Sequence, residues 1–425
     1  MTPRHQGTTQ KCAAYGAFAK VSGYLKAHPR PFCTGHTVRR LNNSATLRFP
    51  IPPPPHTDMP DLSWQHSLLL AVLSLPAAAT FLSLLTHDHW IMRVFDFPRL
   101  QIAVLNLAAI GAAYLAAPPG QLWFAAVAAL NLLCALWQFW QISAYTRLRR
   151  PTVLAYTGPD NERTISILTS NVLTPNRQAG KLLRLIEAHH PDIVLTLETD
   201  HWWEQQLAPL ETAYGWQVKI PLDNLYGMHL YSRLPLRNAQ VLYRVRDDIP
   251  SIQAEVQLRS GEWVHIYCLH PMPPSPTESD TSTERDGELL LVGKEIARQQ
   301  HSCLVFGDLN DVAWSDTSRL FQRISGLLDP RVGRGLYNTF HANWRLLRWP
   351  LDHIFHSNDF LVSDLKVLPH IGSDHFPVYG KFQYHPPAEA VQPEPEADAA
   401  DHEQANEKIE AAEPIHERER VKYRR

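Results

Sequence analysis

Three long stretches without a single Lys, Arg, Asp or Glu constrain this chain more than any other feature: residues 67–85, 100–117 and 122–145. At about 1.5 Å per helical residue, each is long enough to cross a hydrocarbon layer roughly 30 Å thick. Trp64, Trp90, Trp123, Trp137 and Trp140 lie at or near their ends, where interfacial aromatics belong. Pro118, Pro119 and Gly120 make a tight turn between the second and third stretches, and Arg147, Arg149 and Arg150 close the block. Three such segments in a row, joined by short loops, argue for membrane spans rather than buried helices of a soluble protein. The expectation is a three-helix transmembrane region over 63–146 in a multi-pass protein of the cell membrane, with the lipid bilayer as its partner.

The rest of the chain divides by composition. Residues 1–58 carry Arg4, Lys11, Lys20, Lys26, Arg30, Arg39, Arg40 and Arg48 and no acid before Asp58. They read as a basic, unstructured extension with the character of a targeting segment, and Met59 offers an alternative start. From Thr164 the pattern changes to short β-branched runs alternating with helical stretches: ISILTSNV, AGKLLRLIEAHH, DIVLTLET. WQVKIPL, MHLYSR, AEVQLRS, WVHIYCLH, SCLVFGDL, LDHIFHS, LVSDLKVL and FPVYGKFQY read as further strands, and ELLLVGKEIARQQ as an amphipathic helix. Many strands with few helices predict an α/β domain over 160–384 with two sheets face to face and helices outside. Residues 385–425, rich in Glu, Ala and Pro, are expected to be disordered. The five cysteines, Cys12, Cys33, Cys134, Cys268 and Cys303, show no metal-type spacing and read as packing residues without disulfides.

Six strings run from apolar residues straight into polar ones: Ser170-Asn171-Val172, Leu197-Glu198-Thr199, Cys268-Leu269-His270-Pro271, Gly307-Asp308-Leu309-Asn310-Asp311, Leu351-Asp352-His353 and Gly372-Ser373-Asp374-His375-Phe376. A buried strand cannot hold an unpaired charge without a cost of several kcal/mol, so these groups are expected at one open edge of the sheets. Several carboxylates together call for a cation, and a hard oxygen site without thiolates favours Mg²⁺ or Mn²⁺.

In this order the six strings resemble the endonuclease/exonuclease/phosphatase superfamily over about residues 164–384, with GDLN and GSDHFPV the sharpest pieces. The resemblance implies a four-layer α/β sandwich of two mixed sheets flanked by helices, with the active site at one end. It implies metal binding by Glu198, Asn171 and Asp374. Asp308 would position or deprotonate the attacking water, Asn310 hold a phosphate oxygen, and His270 donate to the phosphate. His375 would be the paired histidine, with its orientation and tautomer fixed by Asp352. Arg285, at the start of a helix, is a weaker candidate for a substrate phosphate.

Three amino-terminal helices and the Pro-rich loop after His270 are similar to bacterial membrane members of that superfamily. The reading is therefore a divalent-metal-dependent phosphoesterase acting on a phosphate ester or pyrophosphate, lipid-linked or carried by nucleic acid, with no obligate protein partner. Between residues 160 and 385 there are 27 acids against 21 Lys and Arg, which disfavours a nucleic-acid binder. A non-catalytic membrane adaptor is disfavoured by the complete set of motif residues. Sidedness stays open: a start at Met59 places the catalytic domain in the cytoplasm, whereas eight basic residues before it pull the amino terminus inside and push the domain out.

Overall fold

The computed structural model describes residues 63–116, 121–413 and, as backbone, 421–422. The expected basic extension, most of the last dozen residues, Cys12 and Cys33 lie outside these. All described residues fall in one compact unit, Leu62–Arg425.

Helices α1 (Trp64–Leu82), α3 (Arg99–Ala116) and α4 (Leu122–Ile142) follow the three uncharged stretches, and all are long and apolar enough to cross a membrane. Leu73, Ala109, Ala113 and Phe124 pack between them. Small residues permit close approach and polar groups add directional bonds, as expected where lipid removes the hydrophobic drive between helices. Asn106 Nδ2 and Gln138 Nε2 donate to Thr80 Oγ1 at 3.3 and 3.2 Å, and Asn131 Nδ2 donates to the Leu73 carbonyl at 3.0 Å. Most other large side chains of these helices, such as Leu75, Leu105, Leu133 and Trp140, are exposed.

Beyond them stand two six-stranded mixed sheets. The first contains β1 (Thr164–Asn171), β2 (Ile193–Leu197), β3 (Trp216–Ile220), β4 (Met228–Ser232), β10 (Phe360–Val367) and β11 (Val378–Tyr384), ordered β10-β11-β1-β2-β4-β3. The second contains β5 (Leu236–Leu242), β6 (Ser251–Gln257), β7 (Trp263–Leu269), β8 (Cys303–Asp308), β9 (Asp352–His356) and β12 (Val421–Lys422), ordered β12-β5-β6-β7-β8-β9. Each sheet has one parallel pair, β1 with β2 and β7 with β8. A parallel pair needs a crossover, which α5 (Ala179–His189) and α7 (Thr283–Gln299) supply. The remaining helices are α2 (Trp90–Arg93), α6 (His201–Leu207), α8 (Asp316–Ser325) and α9 (Ala399–Ala411).

Period-two alternation builds the layers. Ile165, Ile167, Ile193 and Leu195 meet Ile252, Ala254, Val264, Ile266, Leu304 and Phe306 between the sheets. The alternate residues Leu168, Val172 and Val194 pack outward on Leu182, Ile186 and Trp203, while Tyr267, Leu269 and Val305 pack on Leu289, Val292 and Phe321. The expected four-layer sandwich is therefore present. Cys134, Cys268 and Cys303 are free and buried.

Both predicted boundaries of the catalytic region need correction. Val153 is fully buried in the inter-sheet core and Ala155 bridges to Val362, so the domain begins ahead of Asp160. The residues after Tyr384 are structured to Glu413 rather than disordered. Helix α9 buries Ala405 and Ile409 against Leu290, Leu320 and Ile324, and Asp398 caps it in a reciprocal box with Asp401. Gln392 donates to the carbonyls of Asn358 and Phe360 and accepts from the Leu154 amide. An acidic composition concealed one narrow apolar face and a set of specific partners, including Asp401 with Arg323 at 2.7 Å.

The helical block and the sandwich share a packed junction. Ile142 and Tyr145 join Val312, Ala313, Trp314 and Leu351 in one cluster. Tyr145 Oη donates to the Ala313 carbonyl and Trp314 Nε1 to the Asp96 carbonyl, both at 2.7 Å. The loop between α1 and α3 pairs with the catalytic domain through Trp90 and Ser282 amides bonded to the Asp280 and Asp88 carbonyls.

Candidate active site

The polar strings sit where the strand register predicts. In the first sheet Asn171 ends β1 opposite Leu197, which places Glu198 beside it. In the second, Leu269 lies opposite Gly307 and Asp308 opposite Asp352, so His270, Asp308 and Asp352 share one edge. The carboxyl ends of both parallel pairs thus converge, a place where α/β sheets hold their ligands. Gly307, at φ 144°, is obligatory: a Cβ there would meet the Leu269 carbonyl oxygen at 2.0 Å. Glu198 and Asn310 both adopt left-handed backbone, at φ 59° and 51°, where few residues settle without a local reason.

Asn171 is the bridge between the sheets. Its Nδ2 donates to Glu198 Oε1 at 2.7 Å and to Asp308 Oδ2 at 3.1 Å. Asp308 Oδ2 also lies 3.4 Å from His375 Nε2 and 3.9 Å from His270 Nε2. His375 Nδ1 meets Asp352 Oδ2 at 2.8 Å. Asp374 and Asn310 line the same cavity, about 300 Å³ in volume. Asn310 donates from Nδ2 to the Pro271 carbonyl at 3.0 Å and from its amide to Asp308 Oδ1 at 3.0 Å. All eight residues expected from the sequence therefore gather at one place.

Burial sets the protonation states. His375 is deeply buried, which pulls its pKa down, but the charges of Asp308 and Asp352 outweigh this and lift it to about 10. For His270 the Asp308 charge does not offset burial, which together with the His375 charge holds it down at about 4, so it is neutral at pH 7. Burial pushes Asp308 above the ordinary carboxylate range. Glu198 is raised to about 7, by burial first and then by the nearby Asp374 and Asp308 charges, against the opposing Asn171 bond and His375 charge.

Such a group has the chemistry to hold a divalent cation. Glu198 Oε2 is buried without any hydrogen-bond partner, and the surrounding donors are hard oxygens with no thiolate. Asp308, Asp352 and His375 also form a compact triad, within 4.8 Å of one another. That triad is a poor metal set, because both ring nitrogens of His375 already face carboxylates, Nδ1 toward Asp352 at 2.8 Å and Nε2 toward Asp308 at 3.4 Å. The oxygen face of Glu198 fits a divalent ion better.

Arg285 is corrected. It is 2 % exposed and does not reach the cavity; it donates to Asp286 at 2.7 Å and to the Asn310 carbonyl at 2.8 Å. It braces the turn that carries Asn310. Sequence reasoning did not single out Tyr226, Glu278, Phe340 and Phe97, which also line the cavity. Tyr226 Oη donates to Glu278, and the Tyr226 ring lies 5.3 Å from that of His270. Phe97 comes from the loop between α1 and α3, and nothing in its own segment marks it.

The fold and the family that residues 168–375 match are those of metal-dependent hydrolases of phosphoester bonds. More particularly, residues 168–375 match the model of the Endonuclease/Exonuclease/phosphatase family. Among solved structures the chain is similar to a humanized D. rerio TDP2, at 17% identity and TM-score 0.45, over 52% of this chain and 99% of that one. It is similar to the human Nocturnin catalytic domain with bound sulfate, at 20% identity and TM-score 0.43, over 56% and 98%. An endonuclease/exonuclease/phosphatase from Beutenbergia cavernae gives 17% identity and TM-score 0.43, over 52% and 72%. No curated protein matches the chain significantly in sequence.

Proposed function

We propose that this protein is a membrane-held phosphoesterase that hydrolyses a lipid-linked phosphate ester or pyrophosphate with Mg²⁺ or Mn²⁺. The carrying observation is that Phe97, two residues before a membrane-length helix, lines the same cavity as Asp308 and His375. A substrate reaching those groups passes a wall built by the membrane block.

In this reading Glu198, Asn171 and Asp374 hold the ion, which when bound neutralises phosphoryl charge and stabilises the leaving oxygen. Asp308 orients the attacking water and takes its proton. His375, kept charged by Asp352, donates from Nε2 toward the phosphoryl group, whose growing negative charge strengthens that bond. His270, neutral, offers Nε2 to a phosphate oxygen, and Asn310 adds an amide hydrogen.

A nuclease is the second reading, favoured only by the family's name. The excess of acids over bases in the catalytic region weakens long-range attraction to a polyanion. The test is a competition: the full chain in detergent micelles with Mg²⁺, plasmid DNA and a polyprenyl pyrophosphate together. Phosphate release from the lipid without nicking is the expected result. Rapid nicking at physiological salt, lost in His375→Ala, with no phosphate released, would reverse the two readings.

A further inference from the structure

Residues 341–349, His-Ala-Asn-Trp-Arg-Leu-Leu-Arg-Trp, form a loop that leaves the active site and returns to it. Its base is fixed. Phe340 pairs with Trp349, the Ala342 amide donates to the Asp374 carbonyl at 2.6 Å, and the Phe340 ring lies 4.9 Å from that of His375. Its tip is apolar and open: Leu346 is 84% exposed, Trp344 58% and Leu347 42%. Three large apolar side chains exposed within residues 344–347 form a patch, and such a patch on a soluble surface is a liability unless something covers it.

The tip's position says what covers it. Gln101 Nε2, in the first turn of α3, donates to the Leu346 carbonyl at 2.7 Å. Leu346 therefore stands at the level where a membrane-length helix begins. That level is the polar boundary of the block, because Arg99 bonds Asp96 at 2.8 Å and Gln138 at 3.2 Å there. Trp349 stacks edge-on against Phe97 at 5.8 Å, so the loop's other leg also abuts the membrane block. The apolar tip is thus continuous with the lipid-facing surface of α3, where Leu100, Val104 and Leu105 are exposed. Trp, Leu and Arg together are the composition of a segment lying at a headgroup boundary.

We infer that residues 341–349 are a lip embedded in the headgroup layer of the bilayer, whose base walls the catalytic cavity. The inference rests on the membrane-held reading above and gives it a device. Trp344, Leu346 and Leu347 enter the acyl boundary, Arg345 faces lipid phosphates, and a substrate headgroup beside the lip is one loop's length from His375.

The test is a depth measurement on the full chain in phosphatidylglycerol-containing nanodiscs. Leu346→Cys, in a chain with Cys12→Ser and Cys33→Ser, is labelled with a nitrobenzoxadiazole fluorophore. Blue-shifted emission, quenched by lipids spin-labelled high on the acyl chain, is expected; water-like emission without quenching overturns the lip. A second variant, Leu346→Glu with Leu347→Glu, is expected to lower hydrolysis of a vesicle-borne polyprenyl pyrophosphate about tenfold or more. Its rate on a water-soluble nitrophenyl phosphodiester should stay unchanged. Equal loss on both substrates would make the loop a structural support and overturn the lip. An embedded label in a protein that cleaves no lipid phosphate would sink the substrate reading while leaving the lip standing.

Discussion

At the scale of single residues, protonation decides which groups do chemistry and which only burden the fold. Asp308 and His375 are bound to each other and to Asp352 and Asn171, so removing either disrupts one unit. Asp308→Asn and His375→Ala should each lower turnover by about 10²-fold or more while the melting transition stays cooperative. Steady-state kinetics with a soluble diester decides this, and two folded variants of near-normal rate would displace the site. Glu198→Gln should raise the Mg²⁺ concentration giving half-maximal rate, because it alters the carboxylate whose second oxygen has no partner. Glu288 illustrates the opposite case. It is buried in α7 with Oε1 unpartnered, and burial lifts its pKa to about 7 despite the Arg244 charge. A folded pKa above the unfolded value of 4.5 means that the native state binds the proton more tightly. Stability from this group is present below pH 4.5 and is lost as pH rises through 7. Glu288→Gln should therefore be nearly neutral at pH 4 and stabilising by up to about 3 kcal/mol at pH 8. Denaturant melts at the two pH values check the sign.

At the scale of elements, the strands that end at the site were the most legible. β2, β7 and β8 run mostly apolar and end at or just before Glu198, His270 and Asp308, which exposes both the strand and the site in one string. β5 was not legible: Leu236–Leu242 reads LRNAQVL and is half exposed, so alternation is blurred by its position near the sheet edge. Helix α8, though amphipathic, is short, with few apolar residues. Phe97 and Tyr226 enter the cavity through distant packing that no local pattern encodes, and Arg285 looked available only because its partners, Asp286 aside, lie elsewhere in the chain. The tail misled for a thermodynamic reason. Its mean polarity is that of a disordered segment, yet Lys408 Nζ lies 2.8 Å from the buried Asp286, whose carboxyl Arg285 and Arg93 also stabilise. A chain ended at Tyr384 strips one cation from Asp286, exposes Leu290, Leu320 and Ile324, and removes Gln392. It should be less stable than one ended at Glu413 by about 2–4 kcal/mol. Equal denaturation midpoints would show α9 to be a passenger.

At the scale of the whole molecule, the question is whether the catalytic domain exists apart from the helices that precede it. Composition places a clean break after Arg150, and the sequence expectation is a catalytic domain beginning near Asp160. The junction argues otherwise. A cut at Val153, which at least keeps the core strand contacts, still removes Ile142 and Tyr145 from Val312, Ala313, Trp314 and Leu351. It leaves Trp314 Nε1 without the Asp96 carbonyl and Arg319 without Gln141, to which it donates at 2.9 Å. It also removes Phe97 from the cavity wall and from Trp349. Asn171, Glu198 and Asp374, the residues proposed to hold the metal, lose nothing, because their hydrogen-bond partners lie within the sandwich. The expected outcome for residues 153–413 is therefore divided. The melting temperature should fall well below that of the full chain in nanodiscs, since burying an aromatic and several aliphatic side chains contributes about 1.5–3 kcal/mol each. The KM for a water-soluble diester should rise, while the Mg²⁺ dependence stays as in the full chain. A fragment matching the full chain in melting temperature, KM and metal dependence would mean that the helices only tether an autonomous enzyme, and that the wall contributed by Phe97 has no part in holding substrate.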